Sequence, residues 1–204
     1  MFSFLSKKRI RSRLDQLCSA GKPVKLHIAC GRNYKEGWIN IDISRKVRKD
    51  FRIDINKGLP FPNRSVDFIF SEHFIEHLSY DKGLFFLKEA HRILKPGGVI
   101  RTAFPDIDKI IDSYIKDYWR EMEWVKLINA HSYPSGCYML NKCIRENGMH
   151  QYMYSVAELR RRLSEAGFSE GNIYECKVGQ SQHAELLNVE RRADSSVVEA
   201  IKQA

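Results

Sequence analysis

The sequence predicts an α/β chain built on an open, mostly parallel sheet, and three observations carry that expectation. Short apolar segments alternate with helix-patterned ones from residue 24 onward. The first segment, VKLHIAC (24–30), is rich in branched residues and stops at Gly31. Further on, a helical pattern ends at Lys95-Pro96-Gly97-Gly98 and gives way at once to the apolar run GVIRTAF. Alternation of this kind buries a sheet under helices, and the crossovers make neighbouring strands parallel.

Taken in order, VKLHIAC is the first strand. WINIDI (38–43) alternates and ends near Asp42; DFRIDI (50–55) follows a basic turn and reads as the third strand. Pro60 and Pro62 make GLPFPNRS (58–65) a loop, and SVDFIFS (65–71) is the next strand. Between Ser79 and Leu94 the spacing of Leu84, Leu87, Ala90, His91 and Leu94 predicts an amphipathic helix. GVIRTAF (98–104) is the fifth strand, followed by helix from about Asp106 to Asn129. The segment 131–154 is dense in His, Tyr and Met and reads as irregular. Ser155, with Glu158 three positions on, caps a further helix. NIYECKV (172–178) and SSVVEAIK (195–202) are late strands.

With 204 residues, 43% hydrophobic and 29% charged, the chain has the composition of one folded domain. Residues 1–22 read as a basic helical extension and 23–204 as the main domain, with an insertion or lid at about 129–154. No apolar run approaches the ~20 residues that span a bilayer. The apolar N-terminal residues precede the charges, unlike a secretory signal. Five cysteines without a CxxC pair fit reduced thiols, so a cytoplasmic setting is expected. The net charge of +9 attracts anions in general. Lys7, Lys8, Arg9, Arg11 and Arg13 stand beside Ile10, Leu14 and Leu17 at helical spacing. That helix could pack its apolar stripe on the domain, or lie on an anionic membrane as a peripheral contact. No clear nucleic-acid signature accompanies the charge.

Parallel sheets bind ligands at the carboxyl ends of their strands. The small residues Ala29-Cys30-Gly31 leave room above the first strand. Asp42 stands where an acid accepts ribose hydroxyls, Asp54 could accept from an exocyclic amine, and Ile55 and Phe61 offer apolar surface to a purine. Ser71, Glu72 and His73 close the fourth strand at the centre of the crevice. Together these residues predict an adenosine pocket.

At these positions the sequence resembles the class I S-adenosylmethionine-dependent methyltransferases, in particular a small bacterial-type branch. The resemblance rests on LHIACGRNYKEGWINIDI (26–43), DINKGLPFPNRSVDFIFSEHFIEHL (54–78), FLKEAHRILKPGGVIRTAFPD (86–106) and GMHQYMYSVAELRRRLSEAGF (148–168). It implies a Rossmann-like, doubly wound sheet of seven strands in the order 3-2-1-4-5-7-6, with the last strand antiparallel. It also implies S-adenosylmethionine as cofactor, with Ala29, Cys30 and Gly31 at the methionine part, Asp42 at ribose, Asp54 and Ile55 at adenine, and Ser71 and His73 near the sulfonium. Glu72 is counted with the cofactor residues. The chain departs from the acid-x-G-x-G-x-G pattern at His27, Ala29 and Asn33. Asp42 follows Gly31 by eleven positions, so a loop must replace the usual helix, with Trp38 closing over the core.

Competing chemistry is weaker. A nicotinamide cofactor needs the G-x-G-x-x-G turn for its pyrophosphate, and one glycine stands here. His73-Phe74-Ile75-Glu76-His77 matches the letters of H-x-x-E-H, but a strand end replaces the long helix that motif requires. His131, Cys137, Cys143 and His150 lack the spacing of a structural zinc site, so no metal is expected. The expected reaction is methyl transfer to a small-molecule or glycan-type (saccharide) acceptor. His73, Asp106 and His150 are the candidate catalytic residues, with Tyr152 and Tyr154 nearby in the lid. Two other roles stay open: a non-catalytic adenosine-binding module, and an accessory protein that meets a membrane or polyanion through its N-terminus.

Overall fold

The computed structural model describes residues 4–127 and 130–203. Its centre is one seven-stranded sheet in the order β3-β2-β1-β4-β5-β7-β6. The strands are β1 Lys25–Ile28, β2 Ile39–Asp42, β3 Phe51–Arg52, β4 Val66–Glu72, β5 Leu94–Phe104, β6 Ile173–Cys176 and β7 Ser196–Ile201. β1 pairs in parallel with β2 and β4, and β4 in parallel with β5. β7 lies between β5 and β6 and runs antiparallel to both. The reversal of strand order falls between β1 and β4, whose carboxyl ends flank the crevice.

Among the described residues six α-helices accompany the sheet: α1 Phe4–Ser19, α2 Tyr80–Ile93, α3 Ile107–Ile115, α4 Glu123–Leu127, α5 Gly136–Arg145 and α6 Val156–Glu165. α2 and α6 bury Phe86, Leu87, Ile93, Leu159 and Leu163 in a core shared with Leu26, Ile28 and Ile69 of the sheet. α1 joins the same core through Ile10 and Leu14, 1% and 5% exposed, while Lys8, Arg9, Arg11 and Arg13 face solvent. Its apolar stripe therefore packs on the domain. The other face of the sheet buries Trp38, Phe70, Val99 and Val197 with Leu186 and Val189. A small third core, around Ile110, Trp119, Val125 and Met139, belongs to the segment between β5 and α6. Among the described residues no helix is long and apolar enough to cross a membrane.

Four elements differ from the sequence reading. β3 covers only Phe51–Arg52 of the expected 50–55, because the Asp54 side chain accepts from Asn56 N and turns the chain into a 3-10 turn at Ile55–Lys57. The expected helix 106–129 stops at Ile115, where Asp117 takes a left-handed φ of 54°. The segment expected to be irregular contains α5, which Ser135 starts by accepting from Tyr138 N at 3.1 Å. Finally, β5 begins at Leu94 rather than 98, carrying Pro96-Gly97-Gly98 as an irregularity between the Val66 and Phe68 registers of β4.

Candidate active site at the carboxyl ends of the central strands

One side of the crevice is made by short-range backbone chemistry. After β1 the chain turns through Ala29 and Gly31, both at positive φ (49° and 52°). Gly31 N donates to Asp42 Oδ2 at 2.9 Å, and Ser44 N donates to Asp42 Oδ1 at 2.7 Å. Asp42 thus fixes the first loop against the end of β2, and each of its oxygens keeps a second lone pair. Cys30 is buried, and burial pushes its thiol up to about 11, so it stands as a neutral thiol. The loop that replaces a helix is pinned by Tyr34 Oη donating to Asp50 Oδ1 at 2.9 Å. Asp50 Oδ2 in turn accepts from Asn40 N at 2.7 Å. Trp38 lies edge-on to Phe70 and His27, and His27 stacks on Phe70 at 5.2 Å. Asp54 is half-buried beside Lys57 at 3.5 Å, and Ile55 is buried.

The other side is built from side chains that are far apart in sequence. β4 ends at Glu72, and His73 follows with φ 48°, its N–H donating to Ala103 O at 2.9 Å. A bulky residue holds left-handed backbone only where its surroundings impose it, and such positions cluster at functional sites. His73 opens onto a cavity of about 280 Å³ that Glu76, Asp106, Trp124, His150 and Ser195 also line. All three candidate catalytic residues, His73, Asp106 and His150, meet there.

His73 Nε2 lies 3.0 Å from Ser195 Oγ, and its Nδ1 lies 3.5 Å from Glu76 Oε1. Burial lowers the His73 pKa to about 4, which keeps the imidazole neutral. Glu76 is fully buried with both oxygens unpartnered, and burial raises its pKa to about 8. Asp106 caps α3 by accepting from Asp108 N at 3.0 Å, and its other oxygen accepts from Ser196 Oγ at 2.7 Å. His150 Nδ1 donates to Cys143 O at 2.6 Å and leaves Nε2 facing Glu146 at 3.0 Å.

Ser71 is buried against Thr102, with 3.4 Å between the hydroxyls. Glu72 turns to the C-terminal segment, where it accepts from Arg191 N at 2.6 Å, Arg191 Nε at 3.0 Å and Arg192 N at 3.0 Å. Burial would raise its pKa, but these hydrogen bonds outweigh that effect and lower it. Cys137 is exposed, and Cys143 donates to Met139 Sδ at 3.6 Å, so these cysteines do not gather around His150 as metal ligands. The His131 side chain lies outside the described residues.

A family model described as a methyltransferase domain matches residues 23–102, the span that carries β1 to β4 and most of β5. A probable S-adenosylmethionine-dependent methyltransferase of Mycolicibacterium smegmatis is 28% identical over 209 residues, across 94% of this chain and 67% of that protein. The fold is also that of a SAM-dependent methyltransferase from Archaeoglobus fulgidus, at a TM-score of 0.52 and 18% identity over 97% of this chain and 95% of that one. A chain of the complex between the Haloferax volcanii Trm112 methyltransferase activator and the putative methyltransferase gives 0.54 and 16%, covering 97% and 94%. Residues 23–102 thus match the methyltransferase domain, and these likenesses support an S-adenosylmethionine-dependent methyltransferase.

The first side of the crevice fits this cofactor. A Cβ built at Gly31 would meet nothing within 4 Å, so bare backbone faces open space beside the Asp42 carboxylate. A cofactor without phosphate needs no glycine-rich turn at a helix N-terminus. The sequence reading missed Glu76 as a wall of the cavity, treating it only as one letter of a motif. It also missed Ser195, which it read as the start of a strand. Neither carries a local signal: Ser195 reaches the cavity through His73, 122 residues away, and Glu76 is tied by its carbonyl to Gln151 and Tyr152.

Proposed function

We propose that this methyltransferase methylates a small-molecule or saccharide-type acceptor held between His73, Asp106 and His150. The convergence of these three side chains on one cavity at the ends of β4 and β5 carries the reading. S-adenosylmethionine supplies an activated methyl group and a neutral leaving thioether. Ala29, Cys30 and Gly31 border its methionine part, Asp42 accepts from the ribose hydroxyls, and Asp54 with Ile55 flanks the adenine. Ser71 lies under the sulfonium, while Glu72 acts from behind by holding the 191–192 backbone.

Methyl transfer is an in-line displacement: a bond from the acceptor atom to the methyl carbon forms as the sulfur–carbon bond breaks. The protein's work is therefore alignment and exclusion of water. His73, hydrogen-bonded to Ser195 and 3.5 Å from Glu76, is positioned to hold or receive an acceptor hydroxyl's proton, and Asp106 orients the acceptor. The cavity size favours a small acceptor or the end of a larger one. The solvent-facing Lys8, Arg9, Arg11 and Arg13 support peripheral contact of α1 with an anionic membrane. Reversing Arg11 and Arg13 to Glu should abolish co-sedimentation with anionic vesicles, and unchanged partitioning would remove that role.

The test is calorimetric titration with S-adenosylmethionine, followed by methyl-label transfer across a panel of small hydroxylated and amino acceptors. Saturable binding and turnover that His73→Ala abolishes support the reading. Binding without transfer to any acceptor would turn it toward a non-catalytic module.

A further inference from the structure

We infer that Glu76, His77 and His150 form a binding site for one divalent transition-metal ion of the zinc type at the wall of the acceptor cavity. One ligand atom from each lies within 4.8 Å of the other two. Ligands at about 2.0–2.2 Å from a shared tetrahedral ion sit roughly 3.4 Å apart, so side-chain rotations that bring the ligand atoms about an ångström closer would close the site.

Four features mark it as built. Glu76 is fully buried, both its oxygens lack a partner, and it lines the cavity. A carboxylate in that position is costly unless something cationic meets it. Both histidines are held in one orientation by backbone carbonyls: His77 Nδ1 donates to Met149 O at 3.2 Å, and His150 Nδ1 donates to Cys143 O at 2.6 Å. That leaves both Nε2 lone pairs free, in the outer-sphere arrangement that metal-binding histidines show. The two Nε2 atoms point at a common oxygen, Glu146 Oε2, at 3.8 and 3.0 Å.

The ligand-bearing segments are also tied together before any ion arrives. Gln151 N and Tyr152 N donate to Glu76 O at 2.8 and 3.2 Å, and Gln151 Nε2 donates to His77 O at 2.8 Å. Glu146 and Asn147, which turn the chain beside the site, both hold left-handed backbone, with φ 37° and 56°. Two imidazoles and a carboxylate suit Zn²⁺ or Co²⁺ better than the all-oxygen preference of Mg²⁺ or Ca²⁺. Glu146 offers a fourth ligand that an oxygen of the acceptor could displace. That last role rests on the methyltransferase reading; the binding of metal does not. The site replaces the expectation, drawn from ligand spacing, that the chain holds no metal.

The experiment uses the untagged chain stripped with chelator. Zn²⁺ is titrated calorimetrically, Co²⁺ is followed by its visible ligand-field bands, and S-adenosylmethionine binding is measured on the same samples. One ion per chain is expected. Glu76→Gln and the double variant His77→Gln/His150→Gln should weaken binding by roughly 100-fold or more, since even outer-sphere changes cost 10–100-fold. His183→Gln, away from the cavity, should change nothing. Absence of saturable binding by the wild type, or unchanged affinity in a folded double variant, would overturn the site. Should the double variant not fold, Glu146→Gln serves in its place, with a weaker, altered Co²⁺ spectrum expected and an unchanged one counting against the site. Metal binding without cofactor binding would keep the site and remove the methyltransferase reading; the reverse result would do the opposite.

Discussion

The two sides of the crevice hold their shape by different means. The cofactor side draws on residues 29–55, and its fixing contacts are short-range: Asp42 to Gly31, Asn40 to Asp50, Asp54 to Asn56. The acceptor side gathers residues from five stretches between 73 and 195 and is held by docking. Its back wall, the 190–195 segment, is clamped by two buried charges. Arg101 meets Glu190 and Glu199, and Glu72 holds the Arg191 and Arg192 amides. Local contacts make a surface that tolerates change elsewhere in the chain. Long-range buried charges make one that fails when a single member is removed.

The largest effect should come from breaking the clamp. Arg101→Met would leave Glu190 and Glu199 buried without their cation, so a loss of about 3–5 kcal/mol is expected in chemical denaturation. A loss under 1 kcal/mol would mean that the acceptor wall does not depend on this cluster. Next comes the base of the cofactor side. His27 is 2% exposed, donates to Asn40 Oδ1 at 3.2 Å, and has its pKa lowered by burial from 6.5 to about 4. Between those two values the unfolded chain binds a proton that the folded chain refuses. This contribution is therefore fully present above pH 6.5 and is lost as the pH falls toward 4, the loss amounting to about 3 kcal/mol. His27→Leu should flatten that part of the stability–pH curve. An unchanged slope would place the acid sensitivity in other groups.

The cofactor side can be tested by affinity. Asp42→Ala removes the acceptor for Gly31 N together with the proposed ribose contacts. Charged hydrogen bonds of about 1.5–3 kcal/mol predict weakening of S-adenosylmethionine binding by roughly 100-fold. Wild-type affinity in this variant would move the ribose to another partner.

The same contrast decides what could be read from the sequence. β1, β2 and the Cys30–Gly31 loop were legible because branched residues, a glycine and an acid recur at fixed short spacings. The strand order came through resemblance to a family. Asp106, His73 and His150 could be nominated one by one, yet no spacing announced that they meet. Their meeting depends on Ile107 N donating to Tyr154 O and on the backbone bonds from 151–152 to Glu76. Glu72 shows the converse: its place at a strand end suggested a cofactor contact, and no local pattern announced the bonds its oxygens accept from the 191–192 segment. α5 was hidden because it is only ten residues long and buries Met139 alone.

The smallest predicted effect sits where the lid meets the main domain, at a glycine whose role no pattern reveals. Gly83 lies inside α2, where alanine would ordinarily favour the helix by about 1 kcal/mol. A Cβ there would stand 2.2 Å from the hydroxyl oxygen of Tyr154, a buried side chain next to the lid's junction with Asp106. Tyr154 can move only by disturbing that junction, and overpacking of this kind costs about 1–3 kcal/mol. Gly83→Ala should therefore destabilise the protein slightly despite the gain in helix propensity. The Tyr154 hydroxyl has no hydrogen-bond partner, so Tyr154→Phe by itself should be nearly neutral. Combining the two should return stability to the wild-type level or above, since the obstructing atom is then gone. A thermal-denaturation cycle over the four proteins measures this coupling. Additive effects would show that the lid yields to the added methyl group, and that the acceptor side is softer than its buried clamp implies.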